Sequence, residues 1–275
     1  MTTARERARL GAIAGIAGPA AFTASWVAAS LLQVGHPAAE VQISGLAAAD
    51  ARDPWLMITG FVVLGGCSVA FGSALHAELG GAGRAGPGPR LIQAAGALTV
   101  AAGLLRRDRM LLTAPAGESW HNHAHDVVSA LIYLALAAVP LLLARRFRGD
   151  RRWGGLRLPL AGAGAATAAL LIVFFAHALE SSSGTLQRVA VTVPLAALCA
   201  VAVRMLATSQ SGSPRGGTDR SAPDRARRER SFIVLPWPIA RRSCRSPGTR
   251  WRSATRTRST SREPGTRSWI SPATT

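Results

Sequence analysis

The segment SWHNHAHD, at residues 119–126, has the residue types and spacing best suited to chemistry in this sequence. If a helix begins at the start of this segment, His121 and His125 lie on one helix face, at positions i and i+4. A second pair further along the chain, His177 and Glu180, shares a face at positions i and i+3. Imidazole and carboxylate groups together can bind zinc or a similar ion, hold a water for general-base catalysis, or relay protons.

Two more carboxylates complete the set of candidate ligands for a divalent metal. Asp126 follows His125 directly, and Asp108 lies in the stretch before the segment. The competing interpretation is structural, because polar residues cost little at a water interface and Asp126 would lie at the positive end of a helix. In that interpretation His125 and Glu180 form a hydrogen-bonded pair that sets the register of two helices. No HExxH, CxxC or Walker-type pattern is present, so we expect no cofactor other than such a metal.

Six apolar runs must position these polar residues. A helix needs about 20 apolar residues to cross the hydrocarbon core of a bilayer, and in lipid it must satisfy all of its own backbone hydrogen bonds. Buried helices of soluble proteins usually carry a polar stripe, which the first, second and sixth runs lack. The sequence therefore predicts an all-α fold, a six-helix transmembrane bundle in residues 1–207, with the lipid bilayer as its partner. The predicted spans are 10–34, 54–77, 91–105, 123–144, 156–178 and 186–205.

Charge is distributed unevenly along the chain, whose formal net charge is +18. Residues 208–275 are rich in Arg, Ser, Thr and Pro and have almost no long apolar run, so they cannot bury a core. We predict that they form a disordered cytoplasmic tail, and we expect no nucleic-acid partner because no folded recognition motif is visible. A disulfide-stabilised secreted scaffold is excluded, because only three cysteines are present and two of them lie in apolar runs.

Arginines in the short loops predict the orientation of the bundle. Five of them lie in the loop at 145–155, whereas the loop at 35–53 has one and the loop at 106–122 has three. With an even number of spans, both termini are predicted to be cytoplasmic, in the cell membrane. The cytoplasmic Arg loops are then expected to contact anionic lipid head groups, at about 1 kcal/mol per basic residue near the surface. The first apolar run exceeds the usual length of a signal-peptide core, which favours an uncleaved first span.

Small residues four positions apart let helices approach one another closely and favour a compact bundle, without indicating which helices touch. Such pairs are Gly11 and Gly15, Ser68 and Gly72, and Gly162 and Ala166.

From Leu10 to Leu206 the chain resembles an uncharacterised membrane family of bacteria and archaea, catalogued as domain of unknown function 998. The resemblance rests on GIAGPAAF, WLMITGFVVLGG, HAHDVVSALIYLALAAVPLLLARRF and HALESSSGTLQRV. The family pattern has an acidic position after span three, a His-Asp step opening span four and a Glu near the end of span five. Here Asp108, His125 with Asp126, and Glu180 match those positions. The resemblance implies six helices and no established activity.

Two interpretations of function remain open at this point. The first is a multi-pass membrane protein of unknown activity, structural or accessory in role. The alternative is a metal- or proton-dependent membrane enzyme or transporter that uses the extracytoplasmic His, Asp and Glu residues. The sequence does not decide whether the protein is an enzyme.

Overall fold

A computed structural model of the chain describes residues 3–35, 37–80, 83–109, 119–176 and 180–210, without the side chains of 180, 209 and 210. In these ranges the chain is helical and has no β-strand, which confirms the predicted all-α, six-helix class. Residues beyond 210 lie outside the description, so the predicted disorder of the tail stays a prediction. The helices are α1 (Ala4–Leu32), α2 (Pro54–Glu78), α3 (Gly88–Leu104), α4 (Trp120–Arg146), α5 (Arg157–Phe175) and α6 (Ser183–Gln210).

The helix ends follow from local sequence signals. The Thr3 hydroxyl accepts a hydrogen bond from the Glu6 amide at 3.2 Å and caps α1, and the Ser119 hydroxyl caps α4 in the same way. Helix α2 starts with Pro54, whose missing N–H is tolerated in the first turn. After α2 the chain turns at Gly80, which has a φ of 96°, a left-handed conformation that favours glycine.

Membrane crossing is supported by five helical segments that are long and apolar enough to span a bilayer. Helix α3 has 17 residues and is therefore about 26 Å long, a little short of the hydrocarbon thickness. Large apolar side chains such as Leu134, Leu158 and Ile172 are mostly exposed on the outer surface, where lipid would cover them. The chain is a multi-pass membrane protein. The five segments are Ala4–Leu32, Pro54–Glu78, Trp120–Arg146, Gly154–Phe175 and Ser183–Thr208.

The helices form a closed ring in chain order. Each helix packs against the next one in sequence, and α6 returns to pack against α1. Helices α2 and α3 approach each other closely at Gly65 and Gly96. A Cβ built on Gly65 would lie 2.5 Å from the Gly96 carbonyl oxygen, and a Cβ built on Gly96 would lie 2.6 Å from the Gly65 carbonyl oxygen. Only residues without a side chain allow the two backbones to come this near.

Gly162 and Ala166 do not lie at a close contact between helices. A Cβ on Gly162 would have no neighbouring atom within 4 Å, and Ala166 is exposed. Gly164 is the close contact instead, since a Cβ there would lie 2.6 Å from Leu141 Cγ on α4. Small residues fill this stretch of α5, so their spacing alone could not indicate which side faces the bundle.

Candidate functional site

A buried arginine organises the polar residues at the end of the bundle where α3 ends and α4 begins. Arg107, 8% exposed, follows the end of α3 and points back into the bundle. Its Nη2 forms an ion pair with Asp126 Oδ1 at 2.6 Å, Nη1 donates to Ser44 Oγ at 3.0 Å, and Nε donates to Asn122 Oδ1 at 3.3 Å. The arginine thus joins two residues of α4 to the short 3₁₀ helix Ile43–Ala47 between α1 and α2.

A cavity of about 470 Å³, which we call the chamber, lies beside this arginine. Arg107 and Asp126 are the charged residues of its lining, and Ser44, Ser129 and Tyr133 contribute hydroxyl groups. The Asp126 side chain is 47% exposed, whereas that of Arg107 is 9% exposed. The carboxylate is therefore accessible in the chamber, while the guanidinium lies behind it.

Part of the chamber wall is aromatic. The Tyr133 ring lies 6.0 Å from the Phe174 ring and 6.0 Å from the Phe175 ring, centroid to centroid, in edge-on arrangements. Phe174 and Phe175 end α5, and their own rings are 5.3 Å apart. The chamber thus presents both polar and aromatic groups to whatever enters it.

A smaller cavity of about 80 Å³, the inner pocket, lies in the middle of the helix ring. Its walls are mostly apolar and include Phe22, Leu64 and Ile92. Ser44, Ser129 and Tyr133 line both the inner pocket and the chamber, so the two spaces meet at these three side chains.

Gln187, which is 4% exposed, fixes the boundary between the two cavities. Its side-chain oxygen accepts a hydrogen bond from the Ile43 amide at 2.5 Å, and its Nε2 donates to the Tyr133 hydroxyl. One amide on α6 therefore holds both the 3₁₀ helix and the tyrosine of α4 in place.

Asp108 belongs to a second polar group at the start of α4. The Ser119 amide and hydroxyl both donate to the Asp108 carboxylate at 2.9 Å, and these hydrogen bonds, the backbone one first, lower the pKa of Asp108 from its ordinary value. His121 Nδ1 lies 2.7 Å from Ser119 Oγ and 3.8 Å from Asp108 Oδ1. The arrangement ties the linker to the helix start, which is a capping function.

His125 is turned towards α3 and not towards the chamber. Its Nδ1 lies 2.9 Å from the Ala102 carbonyl oxygen and 3.0 Å from that of Leu105. Carbonyl oxygens only accept, so Nδ1 must carry the proton and donate to the last turn of α3. The imidazole is 1% exposed and packs edge-on against Phe61 at 6.5 Å between ring centroids.

The structure brings some of the predicted metal ligands together and separates others. Asp108 and His121 are neighbours, Asp126 pairs with Arg107, and His125 bonds to helix carbonyls. In the described part of the chain, no three His, Cys, Asp or Glu residues are grouped so that they could hold a metal ion. His177 and the Glu180 side chain lie outside the description, so a metal site that uses them, and the pairing of His125 with Glu180, stay predictions.

Sequence reasoning missed the residues that organise the chamber. In the sequence Arg107 contributes only to the loop charge that predicts topology, although an arginine on the Arg-poor side of a membrane protein is itself unusual. Gln187 and Tyr133, the sole tyrosine, could also have indicated the site, because polar groups inside apolar runs need hydrogen-bonding partners. Ser44 carried no signal, since its contact with Arg107 depends on the path of two separate loops.

Comparison with known proteins gives one match. A family model described as "Protein of unknown function (DUF998)" matches residues 16–204, well over half of the chain. No curated protein and no solved structure matches the chain.

Proposed function

The chain belongs to the DUF998 family of proteins of unknown function, and we propose that it is a non-enzymatic, accessory membrane protein that binds a small molecule in the chamber. The observation that carries this proposal is Arg107, a buried cation that lines a 470 Å³ cavity. A buried ion pair contributes little net stability compared with apolar packing, so an ionisable group inside a membrane protein points to function.

The size and lining of the chamber support binding. Ligand sites in proteins are usually clefts of about 300–1,000 Å³ with apolar and aromatic walls and a few placed polar groups. The chamber has this composition, since Tyr133 and Phe174 line it together with Arg107 and Asp126. The polar groups are also fixed in place, since Arg107 bonds to two other elements of the fold.

We further propose that the chamber opens on the extracytoplasmic side of the cell membrane and that both termini are cytoplasmic. The bundle end opposite the chamber supports this orientation, because the loop after α4 contains Arg148, Arg151 and Arg152. Anionic lipid head groups would contact these arginines on the cytoplasmic side.

Thiol labelling in intact cells tests both the access and the orientation. In a variant with Cys67, Cys199 and Cys244 replaced by serine, single cysteines are placed at Ser129 in the chamber, Ser68 in the inner pocket and Arg148 in the opposite loop. A charged, membrane-impermeant maleimide should label the cysteine at 129 from outside. It should label the cysteine at 148 only after the cells are opened, and that at 68 under neither condition.

Each result of the labelling decides one statement. Labelling of the cysteine at 148 in intact cells would reverse the proposed orientation. Failure to label the cysteine at 129 from either side, while a folded bundle elutes normally from size-exclusion chromatography, would show that the chamber is closed to solutes and would remove the binding proposal.

A further inference from the structure

We propose that the ligand of the chamber is an uncharged amphiphile with a hydroxyl-bearing head group, whose apolar chain enters the inner pocket. This inference names the ligand class and rests on the proposed function. It follows from three features of the two cavities: their charge, their hydrogen-bonding groups and the wall that they share.

The charge of the chamber favours an uncharged head group. Arg107 and Asp126 pair at 2.6 Å and neutralise each other, and the other described residues of the lining are uncharged. A carboxylate or ammonium head would therefore add a net charge beside an already neutralised pair, and no further described residue of the lining offers it a counter-charge.

The hydrogen-bonding groups of the chamber match a hydroxyl. The Tyr133 hydroxyl accepts from Gln187 and the Ser44 hydroxyl accepts from Arg107, and neither donates its own proton to another described residue. Each can therefore donate to a ligand oxygen. The half-exposed Asp126 carboxylate is an acceptor for a ligand hydroxyl proton. An alcohol or a glycerol head both donates and accepts, so it can use both kinds of group.

The inner pocket accommodates the apolar part. Its 80 Å³ is room for several water-sized groups, and apolar walls such as Leu64 and Ile92 make it a poor site for water. Ser44, Ser129 and Tyr133 line both spaces. In the proposed mode of binding, the chain passes from the chamber into the ring of helices between these side chains. The first methylenes of the chain would lie against Phe174 and Phe175.

The experiment uses three photoreactive probes in nanodiscs of phosphatidylcholine that contain the full chain. The probes have the same diazirine-bearing alkyl chain and differ in the head group, which is a glycerol ester, a carboxylate or an amine. We expect the glycerol probe to crosslink to inner-pocket residues about tenfold more than either charged probe, since a charged head lacks a counter-charge. Crosslinked residues are mapped by mass spectrometry.

Two variants on α4 test whether the probe uses the proposed path. Ser129→Phe should fill the junction of the two cavities and abolish crosslinking in the inner pocket. Leu134→Phe is the matched control, because Leu134 is 63% exposed on the outer surface and this substitution should change nothing. Thermal unfolding of both variants shows that the bundle is intact.

Asp126→Asn provides a test that does not depend on filling space. Without the carboxylate, Arg107 keeps its positive charge and the chamber changes from neutral to cationic. We expect the preference to shift from the glycerol probe to the carboxylate probe, while the amine probe still fails to label.

The outcomes separate the ligand class from the binding function. If the carboxylate or amine probe labels the inner pocket of the unmodified protein as well as the glycerol probe does, and Ser129→Phe blocks it, the uncharged class is wrong and the chamber still binds amphiphiles. If every probe labels only lipid-facing residues and Ser129→Phe has no effect, both the ligand class and the proposed function fail.

Discussion

The two ends of the helix bundle solve the burial of charged residues in different ways. At the chamber end, Arg107 is almost fully buried and its partners are side chains from separate elements of the fold. At the opposite end, which we call the closed end, Arg152 is 38% exposed and pairs with Glu78 at 2.5 Å. The chamber end therefore places charge inside the protein, and the closed end keeps it near the surface.

Apolar packing is denser at the closed end than at the chamber end. At the closed end Phe147 and Trp153 stack with their ring centroids 5.0 Å apart, and both are buried in one cluster with Leu75, Leu143 and Met205. At the chamber end the corresponding space is the cavity beside Arg107. Filling the interior with large side chains stabilises a bundle, whereas a cavity forgoes that packing. The difference is what we expect if the closed end serves stability and the chamber holds the proposed ligand.

The strongest way to break this comparison is to remove one arginine at each end. Arg107→Ala should lower the free energy of unfolding in detergent by about 2–3 kcal/mol, because it leaves the Asp126 carboxylate without its counter-charge in a partly buried site. Arg152→Ala should cost only about 1 kcal/mol, since its ion pair with Glu78 is partly exposed and screened. Thermal or chemical unfolding of the two purified variants measures the difference.

A double variant checks the physical reason for the larger effect. Arg107→Met combined with Asp126→Leu removes both charges and should recover part of the stability that Arg107→Ala loses. If Arg152→Ala destabilises the bundle as much as Arg107→Ala does, the distinction between a functional and a stabilising end cannot stand.

The fold could be predicted from the sequence because apolar runs report directly on burial in lipid. The run at 54–77 and helix α2, Pro54–Glu78, have almost the same ends, since Pro54 starts the helix and glycines follow it. Helix α1 begins at Ala4, six residues before its apolar run, because Arg5, Arg7 and Arg9 continue the helix. Hydropathy shows which residues lie in lipid, whereas caps decide where a helix starts.

The candidate site could be predicted only in part, because it depends on contacts between distant segments. The sequence drew attention to Asp126, which does line the chamber, through its place at a helix start. It gave no reason to join Asp126 to Arg107 or to Ser44, which lies 63 positions before that arginine. Loop conformation brings these residues together, and hydrophobic periodicity carries no information about loops.

His125→Ala tests whether the chamber end owes its shape to a helix cap. The variant removes the donor to the Ala102 and Leu105 carbonyls and leaves a cavity, so we expect a loss of about 2 kcal/mol in the free energy of unfolding. Metal analysis of the same preparations distinguishes the cap from a metal ligand. A divalent metal present in the unmodified protein and absent from His125→Ala would contradict the capping role.

The contact between α2 and α3 lies between the two ends of the bundle. Two adjacent glycines of α2, one at this contact and one away from it, provide a matched pair of substitutions that tests it. Gly65→Ala should destabilise the bundle by about 1–2 kcal/mol, because the new Cβ would lie 2.5 Å from the Gly96 carbonyl oxygen. Gly66→Ala should be neutral or slightly stabilising, since no atom lies within 4 Å of its Cβ position and alanine favours helix. Equal effects of the two substitutions on the midpoint of thermal unfolding would show that the helices do not approach as described.

The smallest expected effect concerns Asp108 and the pH dependence of the chamber end. Hydrogen bonds from Ser119 lower the pKa of Asp108 below its ordinary value of 3.8, so the ionised carboxylate stabilises the start of α4 at neutral pH. That contribution is lost as the pH falls through the lowered pKa. Asp108→Asn should therefore be less stable than the unmodified protein at pH 7, and the difference should shrink as the pH approaches 3. Asp53→Asn is the control, because Asp53 precedes α2 without a side-chain capping bond; a difference for Asp108→Asn that does not change with pH would show that the carboxylate has no capping role.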